Sequence, residues 1–163
     1  MSAESARAFL RAHGFEDRIL ILEADTATVA AAAAAIGVTP DEIAKTLSFA
    51  MADDAILIVA EGTARIDNQK FKQTFSAKAR MLPPDQVETL IGHAPGGVCP
   101  FGIKGGVKVY FDASLRRHET VYPAAGTDHS AVRLSLQEFE QAVQPVDWVD
   151  VTKKPQTETD LIS

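Results

Sequence analysis

The sequence holds one cysteine, Cys99, so no intramolecular disulfide can form, as is usual for proteins of a reducing compartment. Long hydrophobic runs are missing. The longest, Val29 to Ile36, is mostly alanine and far short of the ~20 residues a membrane-spanning helix needs. Met1 to Arg7 has no apolar stretch of the secretory kind, and a cytoplasmic protein without membrane contact is expected. Metal-ligand spacing is also lacking: His13, His93, His118 and His129 are scattered, and without a second cysteine no metal site is expected. There is no excess of positive charge. A net charge of −6 argues against gripping a long stretch of nucleic-acid backbone.

What remains is ordinary for a folded domain. At 163 residues and 46% hydrophobic, the chain is long enough to bury one real core. Short apolar strands and short helices interleave with no repeat and no linker, so the class is a single mixed α/β domain. The stretch after residue 152 is polar and aperiodic. The expected division is therefore a domain over 1–152 and a flexible tail over 153–163.

Helices are expected over Ser2–His13, stopped by Gly14, and over Ala27–Ile36, capped by Thr26 and stopped by Gly37. Others are Asp67–Phe75, one opened by Pro83-Pro84-Asp85 and running to about Ile91, and Leu136–Val143 capped by Ser135. Thr39-Pro40-Asp41-Glu42 predicts one short helical turn just before Lys45, and Asp112 a short helix ending near Arg117. Strands are expected at Arg18–Glu23, Thr46–Met51, Ala55–Ala60 and Ala77–Met81, with Asp53-Asp54 turning between the middle two. The remaining strands are Val107–Phe111, Glu119–Tyr122, Ala131–Leu134 and Asp147–Val151.

Two features could carry chemistry. The first is the segment Gly92 to Gly106, with six glycines and two prolines. It is not a Walker loop: Gly97 and Gly102 have the right separation, but Lys104 comes one place late and no Ser or Thr follows it. Glycines can leave backbone N–H groups uncovered, and prolines hold them rigid, as in an oxyanion hole or anion cradle. Composition alone leans toward a structural turn. The second is Lys45, the only base between Ile19 and Gly62, where seven acids lie. Flanked by Ile43, Ala44 and Leu47, it either aims a partly buried charge or snorkels to solvent. Cys99 has no local base to activate it and reads as a packing residue. His93 and His129 lie in glycine-containing loops and could line a cleft.

Several pieces resemble the YbaK/EbsC family, which is related to the editing domain inserted in bacterial prolyl-tRNA synthetases. They are Ile43-Ala44-Lys45-Thr46-Leu47, Gly62-Thr63-Ala64-Arg65-Ile66-Asp67 with Lys70-Phe71, Lys78-Ala79-Arg80-Met81, the loop from Gly92 to Gly102, and Val121-Tyr122-Pro123-Ala124-Ala125-Gly126. The resemblance spans about Ala27 to Asp150. It implies a bent, barrel-like, mostly antiparallel central sheet with short helices around it. It also implies a trans-editing hydrolase that deacylates mischarged tRNA, chiefly proline tRNA carrying a small wrong amino acid, without a cofactor. The alternative is a non-catalytic binder of aminoacyl-tRNA or nucleotide, or a regulatory partner of a synthetase.

By the same resemblance, Lys45 and the amides of Gly96, Gly97 and Val98 form the catalytic set. His93, Cys99, Pro100, Phe101, Gly126 and His129 bind substrate. From the uneven charge, with Arg65, Lys70, Lys72, Lys78 and Arg80 set against the single acid Asp67, these bases are either plain solvated charge or a face expected to meet the tRNA acceptor end, where few phosphates need neutralising. Prolyl-tRNA synthetase is the expected protein partner, and the oligomeric state is left between monomer and weak dimer.

Overall fold

A computed structural model describes residues 2–22, 28–52 and 54–154. In chain order the elements are α1 (Ser2–Ala12), β1 (Ile19–Ile21), α2 (Val29–Ile36), β2 (Ile43–Met51), β3 (Asp54–Glu61), β4 (Arg65–Ile66), α3 (Asn68–Phe75) and α4 (Pro84–Ile91). There follow β5 (Lys108–Asp112), β6 (Thr120–Pro123), β7 (Ser130–Val132), β8 (Leu134–Ser135), α5 (Leu136–Val143), β9 (Asp147–Val149) and β10 (Thr152–Lys153). Among the described residues no helix is long and apolar enough to cross a membrane.

A six-stranded sheet in the order β8-β6-β2-β3-β5-β9 forms the centre, curled into a half-barrel. The expected mixed α/β class holds. Its longest junction, β2 with β3, is antiparallel, as is β6 with β8. The joins β2–β6, β3–β5 and β5–β9 are parallel, so the central sheet is mixed rather than mostly antiparallel. The chain between β3 and β5, carrying α3, α4 and the glycine loop, is long enough for the crossover that a parallel pair requires. Two small antiparallel ribbons, β1–β7 and β4–β10, flank the sheet.

Strand β3 explains why the sheet is buried on both faces. Its run Ile56-Leu57-Ile58-Val59-Ala60 is apolar without alternation, the pattern of a strand covered on both sides. Leu57 and Val59 join the larger core with Phe101, Phe111 and Phe139. Ile56 and Ile58 join a second core with Phe49 and Phe71. On the larger side the Phe139 ring stacks on Phe111 at 4.7 Å and lies 5.7 Å from Phe101. Phe101 in turn lies 5.6 Å from Phe9 of α1. The glycine loop is thereby pinned to α1 and α5 through Phe101. Truncating such a buried aromatic to alanine typically costs about 3–5 kcal/mol.

The caps expected at Thr39 and Ser135 form, and Asp67, expected inside its helix, caps it instead. The Asp67 carboxylate accepts from the Gln69 and Lys70 amides, and Thr39 and Ser135 each form a capping box with a glutamate. Helix α2 is capped by Thr28, whose hydroxyl accepts from the Ala31 amide at 3.1 Å; Thr26 lies outside the described residues. Asp54 pairs with Met51 inside the hairpin ladder, so the turn falls earlier than expected, at Ala52 with φ 52°.

The expected strand Ala77–Met81 does not form. Only Met81 makes a bridge, to Phe49. Ser76 in a left-handed conformation (φ 56°) precedes this stretch, and Pro83-Pro84, which cannot donate to a ladder, follows it. The last strand also differs. It breaks after Val149, because the buried Asp112 carboxylate accepts from the Val151 amide (2.9 Å), the Thr152 hydroxyl (2.7 Å) and the Ser114 amide (2.9 Å). Beyond the break, Lys153 pairs with Arg65 and Lys154 lies 2.7 Å from Glu61. Lys153, placed in the expected tail, is thus part of strand β10.

Glu138 links the cap of α5 to Arg18 beside β1. Hydrogen bonds from Arg18 and from the Ser135 amide hold its carboxyl down to about 2. That stabilisation is present above the unfolded carboxyl value of about 4.3 and is lost as pH falls toward about 2. Acid titration of Glu138→Gln, which keeps a capping side chain, is expected to show a flatter loss of stability over that window than the wild type. Superimposable curves would contradict the assignment.

Candidate functional site

A cleft of about 110 Å³ opens where four segments meet. The start of α2 supplies Thr28, Val29 and Ala32, and the start of β2 supplies Ile43, Ala44, Lys45 and Thr46. Pro95, Gly96 and Val98 of the glycine loop face them, and Tyr122, Ala124, Ser130 and Ala131 complete the wall. At roughly 30 Å³ per water, the space suits a group the size of a small amino acid side chain.

Lys45 is placed by β2, where it opposes Ala60 of β3. The preceding turn, Pro40–Glu42, delivers the chain into that strand. Half-buried, the lysine donates from Nζ to the Ala64 carbonyl. Burial pushes its pKa below the ordinary lysine value. Neighbouring Arg65 pushes the same way, while Glu61 and Asp112 oppose. Ala64 is itself held, its amide donating to the Glu61 carbonyl at 3.0 Å. Gly62 lets this turn pack close: a Cβ there would meet the Pro40 carbonyl and come within 2.8 Å of Val29.

Across the cleft, Pro95–Gly97 forms one turn of 3₁₀ helix rather than any strand. The Gly97 amide donates to the Ala94 carbonyl at 2.9 Å, so this donor is spent inside the turn. Gly97 is also absent from the wall that Lys45 shares, which removes it from the expected set of three amides. The amides of Gly96 and Val98 have no acceptor among the described residues, and both residues line the cleft. Gly97 has a different task. A Cβ on it would collide with the Gly126 carbonyl and lie 2.7 Å from the Thr127 amide. The loop thus rests backbone against backbone on residues 126–127.

The six residues expected to bind substrate do not line the Lys45 cleft. His93 is buried, and its Nε2 donates to the Phe101 carbonyl at 2.6 Å, with Cys99 Sγ 3.5 Å away. Burial lowers the histidine pKa, so the ring is held neutral. Burial drives the Cys99 thiol up to about 12, against opposing hydrogen bonds with Phe101 and Gly126, so it is no nucleophile at neutral pH. Pro100 and Phe101 are buried beneath the loop, and Gly126 supports it from behind. His129 is exposed, its Nδ1 2.6 Å from Asp128. His93, Cys99, Pro100 and Phe101 shape the loop from inside because the loop turns its apolar side chains into the larger core.

Of the expected tRNA-contacting bases, Arg65 is exposed and close enough to Lys45 to influence its charge. Lys70 is tied to Asp150 at 3.1 Å and to the Thr152 carbonyl at 2.9 Å. Lys72, Lys78 and Arg80 are exposed.

The family model for aminoacyl-tRNA editing domains matches residues 23–142. The chain belongs to the aminoacyl-tRNA editing domain family. It is similar to the uncharacterised protein YwhH of Bacillus subtilis strain 168, 46% identical over 154 residues that cover 94% of this chain and 98% of that protein. It is also similar to a proline–tRNA ligase of Shouchella clausii, 31% identical over 113 residues covering 69% of this chain and 19% of the ligase. A solved structure reported as a candidate trans-editing enzyme for prolyl-tRNA synthetase superposes with a TM-score of 0.83 at 29% identity, covering 93% of this chain and 97% of that one.

The sequence did not single out every residue of this editing domain's cleft. Thr46, beside Lys45 in the matched piece, carries a buried hydroxyl with no partner among the described residues. A buried polar atom left bare is costly, so the site has an unfilled hydrogen bond to offer a ligand or water. Thr28, Tyr122 and Ser130 joined the wall only through folding. Behind the Ala64 turn lies a second polar group that spacing could not reveal. Buried Glu61 sits 2.7 Å from His118 Nε2, 2.7 Å from Lys154 Nζ and 3.6 Å from Arg117.

Two measurements follow from the loop. Gly97→Ala is expected to displace the loop and lower activity on the order of 10²-fold, the cost of about 1 Å of misplacement in a preorganised site. Unchanged activity would show that the contact with 126–127 does not set the loop. Native protein is expected to leave Cys99 unalkylated at neutral pH and to expose it on unfolding; rapid labelling of the folded chain would contradict its burial.

Proposed function

We propose that this editing domain is a cytoplasmic aminoacyl-tRNA deacylase acting in trans, and that its substrate is a mischarged tRNA, most fittingly proline tRNA carrying a small wrong amino acid. The observation that carries the reading is a cleft lined both by Lys45 and by Gly96 and Val98, whose amides have no acceptor among the described residues. The likeness to a proline–tRNA ligase and to a candidate trans-editing enzyme supports the choice of tRNA.

The bond to be broken is the ester between an amino acid and the terminal ribose. Water adds to the carbonyl carbon, negative charge gathers on the carbonyl oxygen, and the C–O bond to the ribose then breaks. Donors already in place where that charge develops lower the barrier most. The Gly96 and Val98 amides fill that part, held by the Gly97 contact behind them. Lys45 orients the ester or its neighbouring phosphate, its charge anchored at the Ala64 carbonyl. The adjacent ribose hydroxyl is positioned to carry the proton from water to the leaving oxygen, so the chain needs no general base of its own.

Selection follows from size. A cleft of about 110 Å³ walled by Val29, Ile43, Tyr122 and Ala131 admits a small side chain and crowds a larger one. One methylene is worth only about 1–3 kcal/mol, which limits discrimination by any single site and makes a second, hydrolytic check useful.

The test is release of amino acid from alanyl-, cysteinyl- and prolyl-proline tRNA by wild type and Lys45→Ala. Wild type is expected to hydrolyse at least one mischarged species and to spare the prolyl ester. Lys45→Ala is expected to lose on the order of 10²-fold in rate. With the lysine pKa depressed, the Lys45-dependent rate should decline on the alkaline side below the ordinary lysine value of about 10.4. Binding of every charged tRNA without hydrolysis would replace a deacylase with a binding module.

A further inference from the structure

The ribbon of β4 and β10 contains an arrangement that costs stability and that the cleft alone does not explain. Arg65 and Lys153 are directly opposed across this antiparallel pair. Like charges in that position repel, and folded proteins usually avoid them. Both side chains are exposed, and neither has an ion-pair partner among the described residues. The cations around them are committed elsewhere: Lys154 to Glu61 and Asp41, and Lys70 to Asp150. Asp67, which caps α3, attracts Lys153 electrostatically but forms no ion pair with it.

Position gives the pair its meaning. Arg65 follows Ala64, whose carbonyl holds the Lys45 ammonium. The charge of Arg65 is felt at Lys45. A strip of positive charge therefore runs from inside the cleft onto an open two-stranded ribbon. An open ribbon does not enclose a small anion, but it suits a polymer whose phosphates pass in succession.

We propose that Arg65 and Lys153 form a phosphate clamp on the single-stranded RNA segment that leads to the ester in the Lys45 cleft. This rests on the editing reading and adds to it a second site on a strand that the sequence suggested was a loose tail. The clamp holds two consecutive phosphodiesters and leaves the chemistry to the cleft. The repulsion between the two opposed cations in the free protein is relieved when RNA binds.

The experiment measures equilibrium binding, so it does not depend on hydrolysis. Wild type, Arg65→Gln, Lys153→Gln and the double variant are titrated with uncharged tRNA over a range of salt, and with the same tRNA trimmed of its single-stranded 3′ end. Each single variant is expected to bind intact tRNA about threefold to tenfold more weakly at low salt and to reduce the salt slope by about 0.7, the value for one single-stranded phosphate contact. Binding of trimmed tRNA should be the same for all four proteins, and thermal melting of the variants should be unchanged or higher. Wild-type affinity in the variants would overturn the clamp. So would an equal loss on trimmed tRNA, or a lowered melting temperature, which would mark the pair as structural. A protein that binds in this way without deacylating would refute the deacylase reading and leave the clamp standing; deacylation with a silent clamp would do the reverse.

Discussion

A half-buried ammonium group must be held by something, and in this protein the Ala64 carbonyl holds it. That one hydrogen bond ties Lys45 of β2 to the turn after β3 and fixes a positive charge at the edge of the cleft. The cost is visible in the depressed lysine pKa. The surroundings that tolerate it are specific. Gly62 lets the turn pack against Pro40 and Val29, the Glu61 carbonyl accepts the Ala64 amide, and two buried carboxylates, Glu61 and Asp112, favour the charge from a distance. Remove the holding group and the ammonium has every reason to move to water.

The opposite wall is built on another principle. Its donors are backbone amides, and what matters is which of them the fold leaves uncommitted. Gly97 uses its amide to close the turn and its missing side chain to let the loop rest on residues 126–127. The amides on either side have no acceptor among the described residues. Phe101 and Cys99 anchor the same loop in the core, so the position of the donors is linked to the packing of α1 and α5. Stability and site geometry are thus joined through a few residues rather than spread over the domain.

Much of this was legible in the sequence, and the limits have physical causes. Caps at Thr39, Asp112 and Ser135 read correctly because a cap is a local interaction, settled within three or four residues. The bilateral burial of β3 showed in its unbroken apolar run. Lys45 and the glycine loop were marked by composition, and the family resemblance put them together. What stayed hidden was long-range or depended on orientation. No pattern says that His93, Cys99 and Phe101 turn inward, since a loop has no period from which to read its faces. Two-residue strands such as β4 and β10 leave no alternation to detect, so Lys153 looked like tail. The partnership of Glu61 with His118 joins positions 57 apart and has no local trace.

The most direct test of the account is a crystal structure with an uncleavable substrate mimic, alanyl-adenosine linked through an amide in place of the ester. The carbonyl oxygen is expected about 3 Å from the Gly96 and Val98 amides, with the alanyl methyl among Val29, Ile43 and Tyr122 and Lys45 on the ribose side. A mimic seated elsewhere, or one in this cleft whose carbonyl points away from both amides, would contradict the claim that these two walls form one site.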